Sequence, residues 1–168
     1  MRPVAGSYPD YYDNYIPLIR TGNIISALEE NRLELISVLK KVDAEKENYA
    51  YQPGKWTVKQ VVQHITDAER VFAYRALRFA RLDPAQPLPF DENKYADVAD
   101  VTHRDLADLL HELGSVRGAT QCLFKTFSQE TLLRTGNTSF GRTTVLAIGY
   151  LIAGHALHHL NVLKQRYL

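Results

Sequence analysis

An all-α fold, a four-helix bundle with long connections between its helices, is what this chain predicts, and three observations predict it. Four stretches of about 24 residues each repeat apolar side chains at three- and four-residue steps. No segment shows the alternation of a half-buried strand. The gaps between the stretches hold the chain-breaking prolines, including three between Asp83 and Val101. With 168 residues, one domain spanning 1–168 is the expectation, large enough for its own apolar core.

Residues 1–22 carry Tyr8, Tyr11, Tyr12, Tyr15 and three prolines. That segment is too broken for a long helix and too aromatic for a solvated tail, so it should pack across the bundle. The first helix is expected from Asn23 to Lys46, through Ile25, Leu28, Leu35, Leu39 and Val42. Arg32 interrupts its stripe and is expected to snorkel outward. Pro53-Gly54 marks a turn. Thr57 then reads as an N-cap, with Gln60 three residues later completing a capping box. The second helix should reach Leu82, ending before Asp83-Pro84 because a residue preceding proline avoids the α region. Asp83 to Val101 reads as a long ordered loop. Thr102 is the expected cap of a third helix ending near Phe127, and Ser128 to Arg142 reads as connection. The fourth helix should run from Thr143 to about Tyr167. Two of these connections are long enough to cross an end of the bundle, so neighbours in sequence need not be neighbours in space.

Twenty basic residues nearly balance nineteen acidic ones, which argues against a nucleic-acid partner or an anionic membrane surface. The longest apolar run, Val145 to Leu151, is short of a membrane span, and the first residues begin no secretory signal. A single cysteine, Cys122, excludes an internal disulfide framework and a CxxC site, and is read as packing. A cytoplasmic protein is the simplest expectation.

His155 and His159 carry the functional signal. An i,i+4 pair puts both imidazoles on one side of a helix, where they can grip one transition-metal ion. His64, on the apolar side of the second helix, is the candidate third ligand. Three nitrogens with further positions open describe a reactive metal site. The same residues could instead be core histidines that hydrogen-bond their neighbours. The pair is not HExxH, since Ala156 follows His155. His158 stands about 100° round the helix from His159 and is assigned to a supporting or interface role. His103 and His111 lack partners at ligand spacing and read as surface residues. Asp67 or Glu69 could orient an imidazole or pair with Arg70. Arg75, eleven residues beyond His64, returns to the same face about 16 Å away, and there it either pairs with a buried carboxylate or anchors an anionic substrate group. Trp56 is expected to plug the end of the bundle.

Gly54-Lys55-Trp56-Thr57 ahead of His64, and Gly154-His155 with His159 near the C-terminus, resemble the DinB-like superfamily. The likeness takes in Asp67-Ala68-Glu69-Arg70 with Arg75, the Pro87-Leu88-Pro89-Phe90-Asp91 stretch and the closing Arg166-Tyr167-Leu168. The resemblance implies a four-helix bundle holding one divalent ion, zinc or nickel, on His64, His155 and His159. Ala156 stands where many members carry an acidic residue. It further implies a small-molecule substrate, a homodimer, and either metal-dependent hydrolysis or thiol transfer with a low-molecular-weight thiol as co-substrate. A non-catalytic metal-binding stress-response module is the alternative. No GxSxG motif and no cysteine near the histidines supplies a nucleophile of the chain's own.

Overall fold

The computed structural model describes all residues, Met1–Leu168. Four long helices form the bundle: α1 (Ile24–Leu39), α2 (Val58–Ala80), α4 (Leu106–Lys125) and α6 (Val145–Arg166). Between them lie two short helices, α3 (Glu92–Val98) and α5 (Gln129–Leu133), and a hairpin of β1 (Thr135–Thr138) and β2 (Gly141–Thr144). The strands are antiparallel, with Thr135 opposite Thr144. Both α1 and α2 pack against α4 and α6, so the consecutive helices α1 and α2 lie diagonally across the bundle.

Helix starts follow capping chemistry closely. The Asn23 side chain accepts from the Ile25 and Ser26 N–H groups at 2.9 and 3.1 Å. Thr57 and Gln60 form the reciprocal box: the Gln60 N–H donates to Thr57 Oγ1, and the Thr57 N–H to Gln60 Oε1. Thr144 caps α6 by accepting from the Ala147 N–H.

Several boundaries differ from the sequence expectation. Helix α1 stops at Leu39, and a 3₁₀ turn occupies Ala44–Lys46. Val42 still reaches the core from the intervening turn, so the apolar period outruns the helix. The stretch read as a loop contains α3, capped by Asp91 accepting from the Lys94 N–H and packed on α2. Asp105, not Thr102, caps α4 by accepting from the Asp108 N–H. Thr102 instead gives its N–H and hydroxyl to Asp100. The region read as connection holds α5 and the hairpin, whose strands are too short and too polar to announce themselves by alternation.

Helix α6 is the centre of the molecule. By length and composition it could cross a membrane, with a mean hydropathy of 1.3 over its most apolar window. Here 72% of that window is buried inside the bundle, which identifies it as a core helix. The N-terminal segment packs on it through two 3₁₀ turns at Asp10–Asn14 and Ile16–Leu18 that bury Tyr12 and Ile16.

The core divides into two apolar clusters. One joins Ile24, Ala27 and Leu28 to Ala76, Phe79 and the start of α6 as far as Ala153. The other joins Leu35 and Leu39 to Val58–Ile65, Leu106–Leu113 and the later part of α6. In chain position, each long helix places a buried polar residue between them: Asn31, Glu69, Arg117 and His155. Arg117 is fully buried and makes five hydrogen-bond contacts, three to the Glu69 carboxylate at 2.8–3.0 Å and one each to Leu28 O and Asn31 Oδ1.

Candidate metal centre

Helix α2 delivers His64, and α6 delivers His155 and His159 from successive turns. Their Nε2 atoms converge, with edges of 3.1 Å from His64 to each of the others and 3.2 Å between His155 and His159. Three vertices of a tetrahedral site with metal–nitrogen bonds of about 2.0–2.1 Å would stand about 3.3 Å apart, so the triangle has the size a divalent ion requires. Internal hydrogen bonding explains the cluster less well. A hydrogen on one Nε2 satisfies one edge and leaves other nitrogens facing lone pair to lone pair.

Burial keeps these imidazoles neutral. It pushes His64 down to about 4, and it pushes His159 to about 3 with the help of His64 and His158. His155, the most enclosed, falls well below the usual histidine range by burial first and by its histidine neighbours second. A neutral nitrogen is the form that ligates a metal.

Aromatic rings wall the cluster. Trp56 lies 4.8 Å from the His64 ring, and Phe72 meets His155 edge-on at 5.6 Å. Trp56 is only half-buried, so its place is beside the histidines rather than plugging the core alone. Tyr15, from the N-terminal segment, sits 5.7 Å from His155 and 5.4 Å from His158. That approach depends on Gly154, where a Cβ would stand 2.3 Å from the Tyr15 carbonyl oxygen.

Two cavities border the triad, one at His155 and one at His159. One, of about 330 Å³, is lined by His155, Phe72, Arg75, Tyr12, Tyr15 and Phe90 among others. The second, of about 280 Å³, is lined by His158, His159, Trp56 and Tyr167, and Asn93 borders both. A larger cleft of about 550 Å³ between α1 and α4 includes no triad residue.

His158 lies outside the triangle, half-buried and edge-on to Tyr15 and His159. Neither acidic neighbour orients a ring. Asp67 accepts from Gln63 and Arg70, and Glu69 is committed to Arg117. Arg75 is buried without a carboxylate partner, its one hydrogen bond going to Leu88 O. His103 and His111 are exposed, and Arg32 turns out to Glu29. Cys122 is exposed on α4 rather than packed, because its position falls off the buried stripe of Leu113, Arg117, Thr120 and Phe124. That stripe carries an arginine at a core position, which is the signal in the sequence for the Arg117 network.

Comparison with known proteins adds family and fold. The profile of the DinB superfamily matches residues 27–163. A Bacillus cereus strain B4264 relative, named "Putative metal-dependent hydrolase", is 28% identical over 149 residues, covering 80% of this chain and 78% of its own. A Bacillus anthracis relative of the same name is 28% identical over 137 residues, with the same coverage. Among solved structures, YfiT from Bacillus subtilis, described as "a probable metal-dependent hydrolase with an unusual four-helix bundle topology", aligns over 98% of this chain and 90% of its own. Its TM-score is 0.77 at 20% identity. The four-helix bundle TT2238 aligns with a TM-score of 0.59 at 24% identity, over 84% of this chain and 96% of its own. These similarities establish the bundle as a shared fold.

Proposed function

This chain belongs to the DinB superfamily, and from that premise we propose that it is a metal-dependent enzyme acting on a small molecule. Its divalent ion, zinc or nickel, is held by His64, His155 and His159. The observation that carries the proposal is the buried triangle of three neutral Nε2 atoms beside a cavity. The relatives named for metal-dependent hydrolysis support it.

Bound there, the ion would supply Lewis-acid chemistry, lowering the pKa of a water or holding a thiol as thiolate. The chain's own contribution is enclosure and positioning. Three imidazoles leave coordination positions for exogenous groups, which a closed four-ligand structural site lacks. Tyr15, Trp56 and Phe72 pack around the imidazoles and reduce their contact with bulk water, which would strengthen electrostatic interactions within the site. The three histidines hydrogen-bond to no serine or cysteine that could serve as a nucleophile, which favours an attacking group from outside the chain.

One observation favours thiol transfer over hydrolysis. Two cavities flank the triad, one bordered by His155 and the other by His159, and a reaction between two organic substrates needs two such spaces. A low-molecular-weight thiol would occupy one and an electrophile the other.

The test is turnover by untagged, metal-loaded protein against a panel of thiols with electrophiles, and of esters and amides with water. Activity should vanish in His155→Ala while its circular dichroism stays native. A fully loaded protein inert across both panels would overturn the enzymatic reading in favour of a non-catalytic metal-binding module.

A further inference from the structure

Arg75 is the buried charge that the proposed chemistry leaves unused. It is 5% exposed, and its surroundings hold its pKa below the usual arginine value through burial. No carboxylate lies within ion-pairing distance of it, although Glu69, Arg70 and Arg78 on the same helix are all in salt bridges. One Nη2 hydrogen bond, 3.2 Å to the Leu88 carbonyl, ties the guanidinium to the loop after α2. A guanidinium has five N–H donors, so most of its capacity is uncommitted. Burying an unpaired cation is expensive, and folds rarely retain one without a partner.

The partner's place is the 330 Å³ cavity that Arg75 lines together with His155. Phe72 separates the two, touching the His155 ring edge-on, and Tyr12, Tyr15 and Phe90 complete an aromatic wall. We propose that Arg75 is the carboxylate anchor of this cavity. Its ligand is an amphipathic monoanion with an aromatic or aliphatic body lying along Phe72 and its other end at the triad. This rests on the reading of the triad as the reacting centre.

Charge sets the class of anion. Asp91 and Glu92 also border the cavity, and they repel a phosphate dianion more than a single carboxylate. The planar fork of an arginine matches a carboxylate with two parallel hydrogen bonds. Separation sets the shape. His64 and Arg75 are eleven residues apart on α2, a backbone rise of about 16 Å. Although the long arginine side chain leans back toward His64, Phe72 stands a turn nearer the triad against the His155 ring, so one small group cannot engage both the triad and the guanidinium. The acid group and the reacting group therefore sit at opposite ends of the substrate.

The probes are 4-phenylbutyrate and its neutral amide, titrated by calorimetry into metal-loaded wild type, Arg75→Gln and Arg75→Lys. Wild type should favour the acid by at least about tenfold, the scale of a charge-assisted pair shielded from water. In Arg75→Gln that preference should fall below about twofold while amide binding is unchanged. Arg75→Lys should retain part of it, and this variant decides the matter if Arg75→Gln does not fold. No acid preference in wild type, or an undiminished preference in either variant, overturns the proposal; the latter would mean the carboxylate goes to the triad. Metal analysis of the same samples keeps the two readings apart. An Arg75-dependent preference in protein that takes up no metal would leave the anchor standing and remove the metal centre.

Discussion

At the scale of single residues, spacing in the sequence and position in space agree best where the physics is local. The His155–His159 pair is legible because four residues of α-helix leave little freedom in where two side chains point. His64 is legible for a weaker reason, that it sits on an apolar stripe. Asp67 takes one of its two sequence readings, pairing with Arg70 three residues on, whereas the Glu69 partner, Arg117, comes from another helix and only the packing decides. Two predictions belong here. Untagged protein should bind about one divalent ion per chain. Alanine at His64, His155 or His159 should each abolish it by elemental analysis, whereas His158→Ala should leave it. The metal-free protein should also lose stability in acid. Its His64 titrates near 4 when folded, against about 6.5 when unfolded, so between those values the unfolded chain binds the extra proton. Stability is therefore complete above pH 6.5 and declines as pH falls toward 4, by on the order of 3 kcal/mol from His64 alone. Urea midpoints of chelated protein at pH 7 and 4.5 measure this, and His64→Leu should lessen the dependence without removing it, because His155 and His159 are depressed as well.

At the scale of elements, a helix start is read faithfully where a capping pattern marks it, as at Asn23 and Thr57, and misplaced where two candidates compete, as Thr102 does with Asp105. The Thr57–Gln60 box is a four-residue pattern with its own hydrogen bonds, and it appears where the sequence puts it. The end of α1 is not visible in the same way, since Val42 stays in contact with the core after the backbone has left the helix. The hairpin escapes notice because six of its eight strand residues are threonine or glycine, with no apolar face to alternate. The N-terminal segment shows how one element depends on another. Tyr15 presses its carbonyl against α6 at Gly154, where backbone on both sides leaves no flexible side chain to yield. Gly154→Ala must therefore displace the segment or the helix, at a cost of about 1–3 kcal/mol. The helical circular dichroism should remain. Limited proteolysis should cut faster within the first 20 residues, and metal affinity should drop as Tyr15 ceases to shield His155. Unchanged proteolysis and unchanged affinity would show that Tyr15 does not wall the site.

At the scale of the whole molecule, the four amphipathic stretches imply a bundle but not which helices touch. Placing α1 diagonal to α2, and α4 diagonal to α6, requires the α1–α2 and α4–α6 connections to cross the bundle, and these carry the 3₁₀ turn at Ala44–Lys46, α5 and the hairpin, which periodicity does not reveal. What selects one arrangement is the polar layer between the two apolar clusters. Arg117 of α4 reaches Glu69 of α2 and Leu28 and Asn31 of α1, so three helices must be in register for its donors to be satisfied. Such a group adds little net stability when intact, because desolvation offsets the attraction. Breaking it is different. Arg117→Met leaves the Glu69 carboxylate buried without its cation and should cost about 3–5 kcal/mol. The double variant Arg117→Met with Glu69→Leu should recover most of that loss, since an apolar pair of similar volume has no charge to desolvate. Chelating the metal should cost less than Arg117→Met does, because the two apolar clusters hold the bundle without the ion and the metal contributes only by mass action. Thermal melts of wild type, both variants and chelated protein would order these effects. If removing the ion unfolds the chain while Arg117→Met barely moves the midpoint, then the triad, not the Arg117 layer, holds the helices in register.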